Sequence, residues 1–473
     1  MALSFMFSNP PGASPDESAH YLRAIGVGHG QLVLERPPPW PPAPPELARQ
    51  TDWLWMQSGV VEVPEQYSPA PFECWGRPFY VGICNRSAPD SGQTVAFDTY
   101  VGVHPPFVYL VPGVLMRASD DSTVALMLGR AGILLGSMGF ISAAALALYR
   151  PSARLWLAGL ISAVTPMVLV TAASLSSSGV EIAAAICLFA CLLRLVRPDA
   201  EPAPRWVWVM AGLGAAAVAV ARDPGPMWVA LHVGLIAILV GWQRLRTVWS
   251  QGGRPAWVGG ALALVALVVA LGWRAGAGVN VDVSALQLPA LGLGEVGGLV
   301  RQVVGVFGPL DTLMPDIAYR IWAAMALFLL VAALWSGSAR QRIALLTAIA
   351  ATGAVFAALE AAHNIYGFSA QARHVMPAAV CVPLLAGEVL AAGKRPRWIP
   401  ARVVMPALAG LAGIVHLAAW HTLGRRFAVG LDGPAMFVSD PVWSPPGGWI
   451  SWMVVMSLAC LVLILPFLWA TED

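Results

Sequence analysis

The chain is predicted to be an all-α polytopic membrane protein, and three observations predict it. Of its 473 residues, 58% are hydrophobic and 11% charged, where a soluble domain carries about 25% charged residues. Mean hydropathy is +0.68. Apolar runs of about 17 to 25 residues, the length of a membrane helix, recur from residue 122 onward. This excludes a soluble enzyme, a disordered chain and a disulfide-dense scaffold. A net charge of +2 argues against nucleic acid as a partner. Of 28 basic residues all but Lys394 are Arg, a bias of GC-rich coding that points to a bacterium.

In chain order, residues 1–121 form a first extracytoplasmic segment. Spans are predicted at 122–148, 153–173, 178–196, 205–221, 225–242 and 256–275. An extracytoplasmic loop follows at 276–318. Further spans lie at 319–337, 341–361, 374–392, 402–421 and 449–469, within a 319–473 unit. That makes about eleven membrane helices. Trp228 and Trp242, Trp257 and Trp273, and Trp322 and Trp335 bracket three of them, as indoles favour the head-group level.

Basic residues set the orientation. Every second loop is Arg-rich: Arg150 and Arg154; Arg194, Arg197 and Arg205; Arg244, Arg246 and Arg254; Arg340 and Arg342; Lys394, Arg395, Arg397 and Arg402. Arg222 stands alone in one of the poorer loops. The rich side is cytoplasmic, and so is the C-terminus. The localisation expected is a bacterial inner membrane, with any active face extracytoplasmic. The opening MALSFMFSNPPG is too short to span or to serve as a signal. It predicts a first helix upstream, leaving the chain about one helix short.

In the first segment, PPPWPPAPP at 37–45 reads as a stiff spacer. Cys74 and Cys84 lie on the oxidising side and are expected to pair. Asn85-Arg86-Ser87 forms a sequon to which no role is attached.

The sharpest local feature is NPPGASPDESAHYLRAIGVGHG at 9–30. On the plain reading, Ser14 and Glu17 form a capping box with Pro15 at the helix start. On the functional reading, Asp16, His20 and Arg23 share one helix face. Asp16 could then take a proton from an acceptor hydroxyl, or help bind a divalent cation. Ionisable groups in or beside spans are costly and point to function. Arg130, Glu181, Asp311, Arg320, Glu360 and Arg373 all fall toward the same outer face. Glu388, beside Lys394, reads as a solvated residue at the other end. The outer set suits a phosphate-bearing lipid and a hydroxyl acceptor. It equally suits interfacial anchoring.

Five elements in register resemble a bacterial membrane-protein family known as domain-of-unknown-function family 2142. They are SPDESAHYLRA, HPPFVYL at 104–110, TPMVLVTAASLSSSGVEIA at 165–183, GVFGPLDTLMP, and SAQARHVMP at 369–377. Ser177-Ser178, Pro309 and Ala372-Arg373-His374 depart from the usual residues. The family's first helix precedes the P-D-E signature. The family in turn resembles GT-C type membrane glycosyltransferases, which use a polyprenyl-phosphate-linked sugar donor outside the membrane. That likeness implies Asp16 as catalytic base, with Glu17 and His20 beside it. It implies Arg373, Arg130 or Arg320 on the lipid phosphate. It places His104, Asp311 and Glu181 near a glycan or lipid-linked acceptor. A flippase for an envelope lipid and a non-catalytic scaffold are the alternatives.

Overall fold

A computed structural model describes residues 1–76, 84, 88, 91–150, 154–197, 203–277, 293–368, 370–392 and 400–468. Asn85-Arg86-Ser87 and Lys394 lie outside the described residues. The chain opens with α1 (Ala2–Ser8) and α2 (Glu17–Gly28). Next come α3 (Ala48–Gln57), strands β1 (Gly59–Pro64) and β2 (Thr94–Thr99), and α4 (Leu110–Met116). The bundle contains α5 (Ser122–Leu148), α6 (Ala158–Ala163), α7 (Pro166–Ala172), α8 (Ser177–Val196), α9 (Arg205–Ala221), α10 (Gly225–Val240) and α11 (Trp242–Ala277). After α12 (Leu293–Gly305), a hairpin of β3 (Val306–Phe307) and β4 (Thr312–Leu313) leads to α13 (Asp316–Ser336), α14 (Ala339–Ile365), α15 (Met376–Ala379), α16 (Cys381–Ala392), α17 (Ala401–Val429) and α18 (Gly448–Leu468).

Among the described residues, seven helices are long and apolar enough to cross a membrane: α5, α8, α11, α13, α14, α17 and α18. The expected straight span at 153–173 is broken. Its two halves meet at 63°, and counting them as one span gives eight. The break is local chemistry. Thr165 accepts the Val168 N–H on its side-chain oxygen, and Pro166 starts α7, where a missing N–H costs nothing. The helices at 205–221, 225–240 and 376–392 are apolar but shorter than the others. Among the described residues, seven or eight helices therefore meet both length and apolarity, and the three shorter ones stand at the positions of the remaining expected spans.

Helix α8 is the centre. Its apolar window is 83% buried, against 17% for α18 and 22% for α11 and α14. It is lined by Ala, Ser and Gly where neighbours approach, as membrane packing favours. The outer helices turn Leu264, Val265, Leu458 and Val462 outward, as lipid-facing surface should.

The polar mass gathers at one end of this bundle. Strands β1 and β2 pair antiparallel from Gly59↔Thr99 to Pro64↔Thr94. Alternation along β1 buries Val61 and Val63. Val61 packs on Gly26 of α2. Helices α2 and α4 cross so tightly that a Cβ at Gly28 would stand 2.3 Å from the Gly113 carbonyl oxygen. Glycine is required there for backbone to meet backbone. Cys74 and Cys84 form the expected disulfide, with a Cα separation of 5.9 Å, inside the usual range.

Candidate functional site

The start of α2 organises the site. The expected capping box does not form. The Ser14 hydroxyl is engaged by the Ser174 hydroxyl at 2.6 Å and by the Asn9 amide at 2.7 Å. Asp16 occupies the N-cap position with φ 62° and caps nothing with its side chain. Left-handed backbone at a non-glycine residue costs about 1–3 kcal/mol and concentrates at functional sites. Among the described residues, Leu310 is the other non-glycine residue with positive φ.

Glu17 points inward. Arg130 grips its carboxylate from Nε (2.8 Å) and Nη2 (2.6 Å). The Gly12 and Leu175 N–H groups, each at 2.9 Å, complete it. The remaining Arg130 protons go to the carbonyls of Met6, Asn9 and Pro10. Both side chains have zero exposure. The arginine therefore has no donor left for a lipid phosphate, and Glu17 no face for a substrate. This corrects the ligand-facing roles expected of both.

Asp16 points the other way and is 33% exposed. It forms an ion pair with Arg373 through Nη2, while Arg373 Nη1 donates to the Pro15 carbonyl at 3.3 Å. Tyr100 donates its phenol to the second carboxylate oxygen at 2.9 Å. The Thr99 hydroxyl, bonded to the Ala19 carbonyl at 2.8 Å, fastens the end of β2 to α2 and so aims Tyr100. Burial would raise the Asp16 carboxyl. The Arg373 guanidinium, the His20 ring and the hydrogen bonds from Tyr100 and Arg373 outweigh it and hold the pKa at about 2.

Behind Asp16 lies a histidine–tyrosine cluster. The Tyr109 hydroxyl meets His20 Nδ1 at 2.7 Å and His104 Nδ1 at 3.3 Å. A hydroxyl can donate to one ring and accept from the other. Burial is the main cause pushing His20 down, to about 3, with Asp16 opposing and Arg373 and Arg222 adding. His104 is also held well below its ordinary value, chiefly by burial and then by Arg222. Both rings are neutral at pH 7. Arg222 donates to the Ser178 hydroxyl at 3.3 Å and to His374 Nε2 at 3.2 Å. The site thus combines one carboxylate with two arginines and neutral rings, which leaves it attractive to an anion.

Beside it is a narrow cleft of about 30 Å³. Pro15 and Arg373 line it together with Ser176, Gln302, Leu310 and Gln371. Arg373 Nε and Gln371 Oε1 are buried without a hydrogen-bond partner. Among the described residues, no three His, Cys, Asp or Glu side chains come together as a metal-ligand set.

The other expected residues separate from this group. Arg23 is buried and spent on the carbonyls of His104, Gln31 and Leu32. Asp311 pairs with Arg426 at 2.8 Å, both nearly fully buried, and pins the β3–β4 turn beside the cleft. Glu181 accepts the Trp228 indole N–H at 3.1 Å deep in the bundle. Arg320 is exposed on α13 and joins none of these contacts. Glu360 accepts the Ala370 N–H at 2.7 Å. Sequence reasoning missed Tyr100, Tyr109, Arg222 and His374 as site residues. Arg222 had a signal, as the lone basic residue of its loop, and Tyr109 lies inside HPPFVYL. Tyr100 had none.

A family model described as a predicted membrane protein family, DUF2142, matches residues 1–382. The chain belongs to this family. No curated protein matches it. Among solved structures, the chain is similar to ArnT from Cupriavidus metallidurans in the apo state. Identity is 16%, the alignment covers 98% of this chain and 71% of that one, and the TM-score is 0.47. The DUF2142 match includes Asp16, Tyr100, Arg222 and Arg373. It stops before Arg426, the structural partner of Asp311.

Proposed function

We propose that this protein is a membrane glycosyltransferase that moves a sugar from a polyprenyl-phosphate donor to an envelope acceptor on the extracytoplasmic side. The observation that supports it best is the division of labour at the start of α2. Glu17 is consumed by the fold, while Asp16 is partly exposed and shares Arg373 with a cleft.

In this reading the donor phosphate binds Arg373, whose Nε has no protein acceptor, with Arg222 adding charge. Charge-assisted bonds of this kind are the strong ones. The acceptor hydroxyl attacks the anomeric carbon. The C–O bond to the phosphate breaks, and the lipid phosphate leaves with the electron pair. The hydroxyl proton passes to Asp16. While Arg373 holds Asp16, the carboxylate is a weak base, at about 2. A phosphate that draws Arg373 away raises its basicity as donor binds. Tyr100 keeps the carboxylate aimed, and the neutral His20–Tyr109–His104 cluster fixes the wall behind it.

The test is Asp16→Asn in the native host. Unchanged membrane abundance together with loss of one envelope sugar supports the reading. A normal glycan profile would falsify it.

A further inference from the structure

A second site lies at the far end of the bundle. Helix α8 begins beside Glu17 and runs 20 residues, about 30 Å at 1.5 Å per residue. Its last turn, the first turn of α9 and the bend of α11 line an open recess of about 950 Å³. Arg194, Arg197, Arg205, Arg244 and Arg254 line it, and no carboxylate does among the described residues. The bend is sharp because Gly253 has φ 55° and ψ −144°, with Pro255 just after it. It divides α11 into a short arm and a long apolar helix.

Tryptophans surround this recess. Trp206 and Trp208 line it. Trp249 packs on Trp208 (5.9 Å) and on Trp257 (5.5 Å). Trp257 is 69% exposed and Trp242 62%. Indoles collect at the head-group level of a bilayer, so the recess opens at that depth. Val258 lines it and is exposed, and Leu264, Val265 and Val268 continue the exposed apolar track along α11. A ligand there meets arginines at one end and a lipid-facing surface at the other.

The arginines are unequally free. Glu388 pairs with Arg150 at 2.6 Å and with Arg197 at 2.9 Å, which corrects its expected solvated role. Arg244 donates to the Arg197 carbonyl at 3.5 Å. Arg205 and Arg254 are exposed and donate to no other described residue. Asp199 and Glu201 lie in the stretch 198–202, outside the described residues.

We propose that this recess binds the phosphate head group of an anionic phospholipid, in the leaflet opposite to the one facing Asp16. Basic pockets between membrane helices suit that chemistry. The apolar track favours a lipid over a free anion.

The test uses the purified full chain in nanodiscs of phosphatidylcholine doped with phosphatidylglycerol, with retained lipid counted by native mass spectrometry. The Arg205→Gln/Arg254→Gln double variant should retain phosphatidylglycerol on the order of tenfold less, given the contribution of each near-surface arginine. Arg205→Lys/Arg254→Lys should keep most of it, and Arg246→Gln, outside the recess, should change little. Millimolar inorganic phosphate should not displace the lipid. Equal retention in the double Gln variant, or equal loss in Arg246→Gln, overturns the proposal. Displacement by inorganic phosphate overturns the lipid assignment in favour of a soluble anion.

Discussion

Asp16 and Glu17 are adjacent carboxylates, each paired with an arginine from a distant helix or loop, and their surroundings make them opposites. Glu17 accepts two bonds from Arg130 and two from backbone N–H groups in full burial. Asp16 shares Arg373 with a cleft and is a third exposed. An ion pair therefore says little until the remaining donors and acceptors are counted. Where all are used, the pair is a clamp holding α1, α2 and α5 together. Where one guanidinium nitrogen is left over, as at Arg373 Nε, the pair can exchange partners with a ligand.

The clamp gives the largest expected effect. Glu17→Gln leaves Arg130 charged and buried, and breaking one side of such a pair costs about 3–5 kcal/mol. We expect the variant to lose folded protein from the membrane, seen as a collapse of the detergent-solubilised melting transition. Arg130→Met should behave alike, because it strands Glu17. If Glu17→Gln melts normally yet abolishes glycan transfer, the two carboxylates act together and the contrast between them is broken.

Asp16→Asn should do the reverse. It keeps the shape and the Tyr100 contact while removing the charge. Stability should stay within about 1 kcal/mol, as expected for a partly exposed pair. Transfer should drop on the order of 10²–10⁴-fold, the usual worth of a general base. The readouts are the melting transition and the envelope glycan profile. A large loss of stability would assign Asp16 to the clamp as well.

How far this contrast was legible depends on distance along the chain. The apolar runs, the Cys74–Cys84 pairing and the helix that begins in SPDESAHYLRA were readable, because composition, periodicity and local spacing carry them. The split between Asp16 and Glu17 was not. Glu17 opens α2 while Asp16 stands before it in left-handed backbone, and the inward turn of Glu17 is decided by Arg130 on α5. The capping box failed for the same kind of reason, since the Ser14 hydroxyl is captured by Ser174 from the distant connection between α7 and α8. The bend at Thr165 was half visible. Pro166 stands in the sequence, but it sits inside an apolar run that composition alone reads as one straight span.

Arg373→Lys sharpens the exchange idea and carries a smaller effect. Lysine keeps the charge but loses the fork that serves Asp16, the Pro15 carbonyl and the cleft at once. We expect about a tenfold loss in transfer, expressed mostly as a higher KM for the lipid donor, because a point charge still attracts phosphate. A pure kcat loss at unchanged KM would instead make Arg373 a positioning residue for Asp16.

The smallest effect concerns the wall behind Asp16. His20 is held at about 3, below its ordinary 6.5, mainly by burial. The unfolded chain then binds a proton near 6.5 that the folded chain refuses until about 3. Stability is fully present above 6.5 and falls as pH drops through that window. The expected loss is about 1.4 kcal/mol by one unit below 6.5, for one proton. Asp16 cannot cause it, because its own lowered pKa brings a loss only between 3.8 and about 2. His104, lowered in the same direction, adds a parallel term. His20→Asn should therefore flatten the melting temperature between pH 6.5 and 5 only in part, and His20→Asn/His104→Asn further. A profile that is flat in the wild type would mean that folding leaves the proton affinity of both rings unchanged, so that burial does not keep the wall behind Asp16 uncharged as pH falls.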